Sequence, residues 1–419
     1  MPDPVVAPPP AGARRGTREP GGDWGTWGTR DVAREYDRRD MSDRAYAVAR
    51  AVTPRIHAHF AEHVASARDR GREHVASAPD PHAIEAMIDV AFWASLRREE
   101  SYIPKISLAY LAPDQTDHPL MLEHSLSLDA AVLTRVAPAV ERPGIHLGVA
   151  HIDGELRVWG TARTIPTYCF VVEVVEPGLI VVKHHRGDER VKFVNVAVLE
   201  GDRIKIVDER ASAMPDCPNL LTSLLGFDVP DGWVAPVNVL VRLAVAMRAH
   251  RRGGLLIVVP AASSAWRDSI IQPISYAIDP IFAELTALRR EAPDAGHLNG
   301  WLERVDRSVE AIAGLTAVDG ATLLTSEYEV LAFGAKITRR RGQPTVERLT
   351  VTEPVAGDTP HVVHPSSLGG TRHLSAAQFV FDQRDAVALV ASQDGRFTVF
   401  GWSGCEDMVH AHRVETLLL

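Results

Sequence analysis

The sequence predicts an α+β N-terminal module followed by an α/β domain with a mixed sheet flanked by helices. Three patterns carry that expectation. Apolar residues recur at helical spacing between about 42 and 100. Short stretches rich in β-branched and aromatic residues, each closed by a turn signal, fill 103–210. Beyond 235, helical patterns alternate with wholly apolar runs of strand length, the mark of a sheet buried on both faces.

Residues 1–40 are dominated by Pro, Gly, Arg and Asp and have too few aliphatic side chains to offset the entropy of ordering. They are expected to form a disordered tail, in which Trp24 and Trp27 fit a short docking element or no role at all equally well. The module at 41–215 opens with a helix capped by Ser42 or Asp43, in which Pro54 marks a kink or break. A second helix is expected at 81–100, with Pro81 in its first turn and Ile84, Ile88, Ala91 and Phe92 on one face. Its charged end, Arg97 to Glu100, suits a solvated helix terminus. His57, His59 and His63 have no carboxylate motif beside them, so they are expected at the surface.

The stretches ISLAYLA, HLGVAHI, ELRVWGTA, TYCFVVEVV, GLIVVKHH, RVKFVNVAVLE and DRIKIVDE read as strands. Turn signals such as Asp153–Gly154, Pro177–Gly178 and Gly201–Asp202 separate them, which predicts an antiparallel meander packed on the preceding helices. Lys183, His184, His185 and Arg186 form a basic cluster assigned to a solvated hairpin end. Residues 214–233 carry Pro, Asp and Gly around one apolar stretch and are expected to connect the modules.

The second domain, 235–405, begins with an amphipathic helix stopped at Gly253 and a buried strand, LLIVVP. Helices are expected at PIFAELTALRREA and GWLERVDRSVEAIAGL, then strands at ATLLT, EVLAFGAKI and RLTVTE, with Tyr328 and Glu329 at a turn. A helix opened by GGTRH and a closing hairpin, DAVALVAS and RFTVFGW, complete the domain. Residues 406–419 are expected to be a C-terminal tail.

Composition narrows the function classes. A hydrophobic content of 46% against 24% charged residues describes a globular chain. The net charge of −9 disfavours broad binding to nucleic acid or to an acidic membrane surface. No apolar run approaches the roughly 20 residues that span a bilayer, and the N-terminus lacks the apolar core of a secretory signal. Three widely spaced cysteines, Cys169, Cys217 and Cys405, make neither a disulfide framework nor a Cys-x-x-Cys metal site. The expectation is a cytoplasmic protein with no membrane partner and no direct nucleic-acid contact.

Two motifs carry chemistry. In LGGTRH, Gly369 and Gly370 let backbone N–H groups approach a phosphate at a helix N-terminus, and Arg372 offers a charge-assisted contact to its oxygens. In VDGATLL, Asp319 sits beside a glycine and opens an apolar run, where it suits a metal or a proton. A capped surface helix and an ordinary turn aspartate fit the same residues.

The order of these motifs adds what patterning does not give. Residues 235–405 resemble the diadenylate cyclase domain (DAC, DisA_N-like): an amphipathic helix, a Gly-Leu-Leu-Ile-Val strand, a DGA motif, a GTRH segment, an Asp-Ala-Val strand and an acidic turn. In that family two ATP-bound domains meet face to face and make cyclic di-AMP. The resemblance assigns Asp319 to the metal and the attacking 3′-hydroxyl, and Asp319, Gly320 and Ala321 to the nucleotide. It assigns Gly369, Gly370, Thr371, Arg372 and His373 to the phosphates, and Ser392 and Asp394 to the metal or triphosphate. It implies a Mg or Mn ion with the nucleotide if the site is active, no cofactor otherwise, an adenine-type ligand, and a homodimer or higher oligomer.

The sequence departs from the family at three central positions. Val318 stands where a histidine is usual, Leu374 where the second arginine of Arg-His-Arg is usual, and Gln393–Asp394 where two glutamates are usual. Glu347 or Glu353 is expected to compensate if anything does. The chain as a whole, including FVVEVVEPGLIVVKHHRGDERVKFVNVAVLEGDRIKIVDE, is similar to the group described as probable sensor domain DACNV. The function expected is a nucleotide-binding sensor with weakened catalysis. An active diadenylate cyclase and a non-binding interaction module are the alternatives.

Overall fold

A computed structural model describes residues 45–98, 102–185, 193–208, 238–291 and 297–419. The expected tail at 1–40, Trp24 and Trp27, the Ser42 or Asp43 cap, Glu99 and Glu100, Arg186, Cys217 and the connection at 214–233 lie outside them. Residues Tyr46–Leu419 form one compact unit.

The first layer is helical. Helix α1 (Ala47–Asp69) runs through Pro54 without a break and buries Val52, Ile56, Phe60 and Val64 along one stripe. Its entry is fixed from outside. The Tyr46 N–H donates to Asp89 Oδ1 at 2.6 Å, and the Tyr46 ring stacks on Phe92 at 3.7 Å. Both partners belong to α2 (Pro81–Ser95), whose N-cap Asp80 accepts from Ala83 N. The helix ends at Ser95, before the charged run, because the apolar stripe stops there.

Beneath these helices lies an eight-stranded sheet of order β2-β4-β3-β1-β5-β6-β7-β8. The strands are β1 (Ile106–Tyr110), β2 (Leu120–Ser127), β3 (His146–Ile152), β4 (Glu155–Ala162), β5 (Phe170–Glu176), β6 (Leu179–His185), β7 (Phe193–Glu200) and β8 (Arg203–Ile206). Strands β5 to β8 make the expected antiparallel meander. The other half does not, since β1 pairs with β3 in parallel. Two elements absent from the sequence reading, β2 and the short helix α3 (Ala130–Val136), intervene between β1 and β3. Strand β2 escaped notice because it is an edge strand with most of its residues exposed, which leaves no alternation to read. Helices α1, α2 and α3 cover one face through Leu108, Leu147, Val172, Ile180 and Leu199. The other face gathers a smaller cluster around Trp159, whose Nε1–H donates to Leu111 O at 2.8 Å.

The second sheet has nine strands in the order β10-β12-β11-β9-β15-β16-β17-β13-β14. They are β9 (Gly254–Val259), β10 (Tyr276–Phe282), β11 (Ala321–Thr325), β12 (Val330–Ala335), β13 (Leu349–Thr352), β14 (His361–Val363), β15 (Val387–Ala391), β16 (Phe397–Ser403) and β17 (Met408–Arg413). Helices α4 (Val239–Ala249), α5 (Glu284–Arg290) and α6 (Leu298–Thr316) pack on one face against Leu256 and Val258. Helix α7 (Thr371–Asp382) packs on the other against Leu255, Ile257 and Val390. The alternation along β9 thus feeds two cores, one on each side, as a sheet with helices on both faces requires.

The second domain departs from the expectation in two places. The first three residues of PIFAELTALRREA are strand, and the helix begins only at Glu284. Residues 276–282 form the edge strand β10, where Pro280 is tolerated because an edge leaves donors unpaired on one side. Residues 406–419 are no tail. Strand β17 lies between β16 and β13, and Val409, Ala411, Val414 and Leu418 are all buried.

The two sheets are joined within the unit. Val207 bridges to Val355, Lys205 Nζ reaches Glu353 at 2.5 Å and Glu415 at 3.5 Å, and Asn195 Nδ2 donates to Thr416 O at 2.9 Å.

Candidate functional site

Strands β9 and β11 run parallel, and β15 runs antiparallel to β9 with Ala391 opposite Gly254. The residues before β9, before β11 and after β15 therefore meet at one end of the central sheet. Gly253 precedes β9, Asp319 and Gly320 precede β11, and Ser392 to Asp394 follow β15. Helix α7 begins at the same end, since the Arg372 guanidinium packs against Gly253. A methyl group on Gly253 would stand 2.8 Å from Arg372 Nη1. Two motifs about fifty residues apart in sequence thus converge.

Asp319 sits in the turn between α6 and β11, with its side chain 90% exposed. The Lys336 ammonium donates to its Oδ2 at 2.6 Å and to its carbonyl oxygen at 3.3 Å. That contact holds the Asp319 carboxyl below the usual carboxylate range, and the Arg372 charge acts in the same direction. Gly320 is required by close approach. It has φ +120, and a side chain there would lie 2.4 Å from the Gly334 carbonyl carbon. Ala321 is buried in β11, so only its backbone can face a ligand.

At α7, Gly370 is the N-cap and supplies no side-chain cap, and the space above its Cα is open. The His373 N–H donates to Gly370 O at 3.0 Å, which leaves those of Thr371 and Arg372 for an incoming acceptor. Thr371 is exposed and Arg372 half-buried. Arg372 Nε is buried without a hydrogen-bond partner, and no ion pair to Arg372 occurs among the described residues. His373 is turned inward, 4% exposed, with its Nδ1 under Gly369 and its ring edge-on to Phe400. Burial lowers its pKa, while Asp394 opposes that shift. Within the acidic turn the Ser392 N–H donates to Arg396 O at 2.9 Å, and Asp394 pairs with Arg396 at 3.4 Å.

Residues 73–163 match a family model described as Probable sensor domain DACNV. This DACNV-like span holds α2, α3 and strands β1 to β4, and so half of the front sheet. It stops well short of Asp319 and Arg372. No curated protein matches the chain.

Sequence reading placed Gly253 only as a helix stop, and missed Lys336, the Gly253–Arg372 contact and the Gly334–Tyr276 contact. For Lys336 a signal existed: the β11–β12 hairpin pairs Ala321 with Ala335, which sets the next residue beside Gly320 and Asp319. Glu353 is committed to Lys205 at the junction of the sheets, so it is not at this end. Glu347 is exposed just before β13, several strands from β9.

Elsewhere, His59 and His63 are half-buried and not at the surface. Their rings stack at 4.1 Å, and both approach His184 of β6, at 5.5 and 6.0 Å. Burial, with His63 and His184 adding to it, pushes His59 from its ordinary 6.5 down to about 3. No group of three or more His, Cys, Asp or Glu side chains is arranged to hold a metal among the described residues. A cleft of about 380 Å³ opens at the opposite end of β9, between Val259, Trp266, Arg340, Asp382 and Arg384. It lies away from both motifs, and Asp382 there is already taken by the Arg340 N–H and Gln378. No helix among the described residues is long and apolar enough to cross a membrane.

Proposed function

We propose that the protein is a nucleotide-binding sensor whose second domain holds an adenine nucleotide in a diadenylate-cyclase-like site. The observation that carries this reading is Arg372: a cation in no ion pair among the described residues, beside an open helix N-terminus, at the end of the sheet that also bears Asp319. A buried guanidinium N–H without an acceptor is costly. A phosphate at this end would find the Arg372 charge, the Thr371 and Arg372 N–H groups and the glycine backbone together.

A divalent ion fits the donor set only in part. Asp319 is ionised and exposed, and Asp394 stands at the same end. Two carboxylates suit Mg²⁺ when phosphate oxygens and water complete the octahedron. Such an ion, bound with the nucleotide, would neutralise phosphate charge. Lys336 already supplies one positive charge to Asp319.

Turnover is a separate matter. Val318 and Leu374, standing where the family uses histidine and arginine, are 36% and 37% exposed. Apolar side chains at the rim of this end stabilise no developing charge, which favours recognition over synthesis. The family match at 73–163 favours a sensing role for the front half. Isothermal titration with ATP, ADP, NAD and cyclic di-AMP tests the reading; heat of binding for at least one is expected, and silence with all four overturns it. Incubation with ATP and Mn²⁺ at high protein concentration is expected to yield no cyclic di-AMP.

A further inference from the structure

The candidate nucleotide end is tied to the front sheet at two places. The first tie is the ion pair between Arg251 and Glu176, the last residue of β5. Arg251 belongs to the turn that ends at Gly253, against which Arg372 packs. In the same turn the Arg252 carbonyl accepts from Gln393 Nε2 at 3.5 Å. The second tie runs through the segment after β17. Asn195 of β7, 7% exposed, donates from Nδ2 to Thr416 O at 2.9 Å and to Leu419 O at 3.1 Å. From the same segment, Leu418 O accepts from Arg248 Nη1 at 3.4 Å, and Arg248 Nε donates to Gly395 O at 3.0 Å. Gly395 closes the turn that carries Ser392 and Asp394.

One tie therefore ends under Arg372 and the other ends on the acidic turn; the first starts at the end of β5 and the second near the start of β7, with β6 between them. We infer that Glu176–Arg251 and Asn195–(416–419)–Arg248 couple the shape of the front sheet to nucleotide affinity, with Arg248 as a positioning residue for the 392–395 turn. The inference rests on the nucleotide reading of that end. A shift of β5 and β7 moves the Gly253 turn and the Gly395 turn together, and so changes how Arg372 and Asp394 are presented. Coupling of this kind is reciprocal: a nucleotide that fixes the two turns must steady the front sheet by the same factor.

The test uses the full chain with ATP and Mg²⁺. Glu176→Gln and Asn195→Ala are each expected to weaken ATP binding at least threefold. The charge swap Glu176→Arg with Arg251→Glu is expected to restore the first loss, which a general loss of packing would not allow. Hydrogen exchange is expected to quicken at 392–396 in nucleotide-free Asn195→Ala. In the wild type it is expected to slow at both 193–200 and 392–396 on adding ATP. Folded variants with unchanged affinity and unchanged exchange at 392–396 overturn the coupling. If the wild type binds no ATP, the nucleotide reading fails, while exchange at 392–396 in Asn195→Ala still decides whether the ties exist. If Asn195→Ala does not fold, the exposed Glu176–Arg251 pair carries the same decision.

Discussion

Arg372 and Gly253 are matched at atomic scale. Gly253 has φ +69, a region L side chains avoid, and lacks the Cβ that would meet Arg372 Nη1. Gly253→Ala is therefore predicted to cost about 1 kcal/mol or more of stability. It also moves the guanidinium, so nucleotide affinity falls with the melting temperature; a variant as stable and as tight as wild type would contradict the contact. Asp319→Asn behaves differently. Its ion pair with Lys336 is exposed, and such pairs add little stability. The melting temperature is predicted to stay nearly constant, while the gain in nucleotide affinity on adding Mg²⁺ disappears in titration. Equal Mg²⁺ dependence in both proteins would remove Asp319 from the site. Motif order suggested that Asp319 and Arg372 act as a pair, but their shared location at one end of the sheet needed the strand order β11-β9-β15. His373 shows the limit of motif reading. The letters Thr-Arg-His do not say which side chain faces out, and helical geometry turns the histidine into the core.

At the scale of elements, α1 carries a pH dependence. His59 is kept neutral in the folded protein, with its pKa lowered from 6.5 to about 3 by burial first, then by His63 and His184. The unfolded chain binds a proton near the ordinary value. Between these pH values the unfolded state holds more protons, so stability falls as pH drops below about 6.5, by at most about 1.4 kcal/mol per pH unit for each such histidine. Urea unfolding at pH 7 and pH 5 is predicted to show this loss, and His59→Gln to reduce it; parallel slopes would refute it. Strand β17 makes a second case. Deleting 406–419 removes Val409, Ala411, Val414 and Leu418 from the core and strips β13 of its neighbour. At about 1.5 to 3 kcal/mol for each large side chain, that loss rivals a domain's whole stability, so insoluble expression is predicted. Buried strands such as β9 and β15 were readable because their apolar runs are continuous. Edge strands β2 and β10 were not, because exposure on an edge erases the period-two signal and a proline mimics a helix start.

The whole molecule combines two mixed sheets with their helices in one unit spanning Tyr46–Leu419. The order of segments along the chain was enough to separate an α+β front from a helix-flanked second sheet. It was not enough to show that β1 and β3 run parallel, or that residues 406–419 stitch the sheets together through Asn195. Those facts depend on pairings distant in sequence, which local patterning does not encode. A probable sensor domain match covers residues 73–163 in the front, and behind it Arg372 Nε is buried without a hydrogen-bond partner among the described residues; the proposed function joins the two. The most direct test is calorimetric titration of ATP with Mg²⁺ into the full chain and into Arg372→Ala. Saturable binding to the wild type, weakened at least tenfold in Arg372→Ala without loss of fold, is the predicted result. Equal binding by both proteins, or none by the wild type, would contradict it.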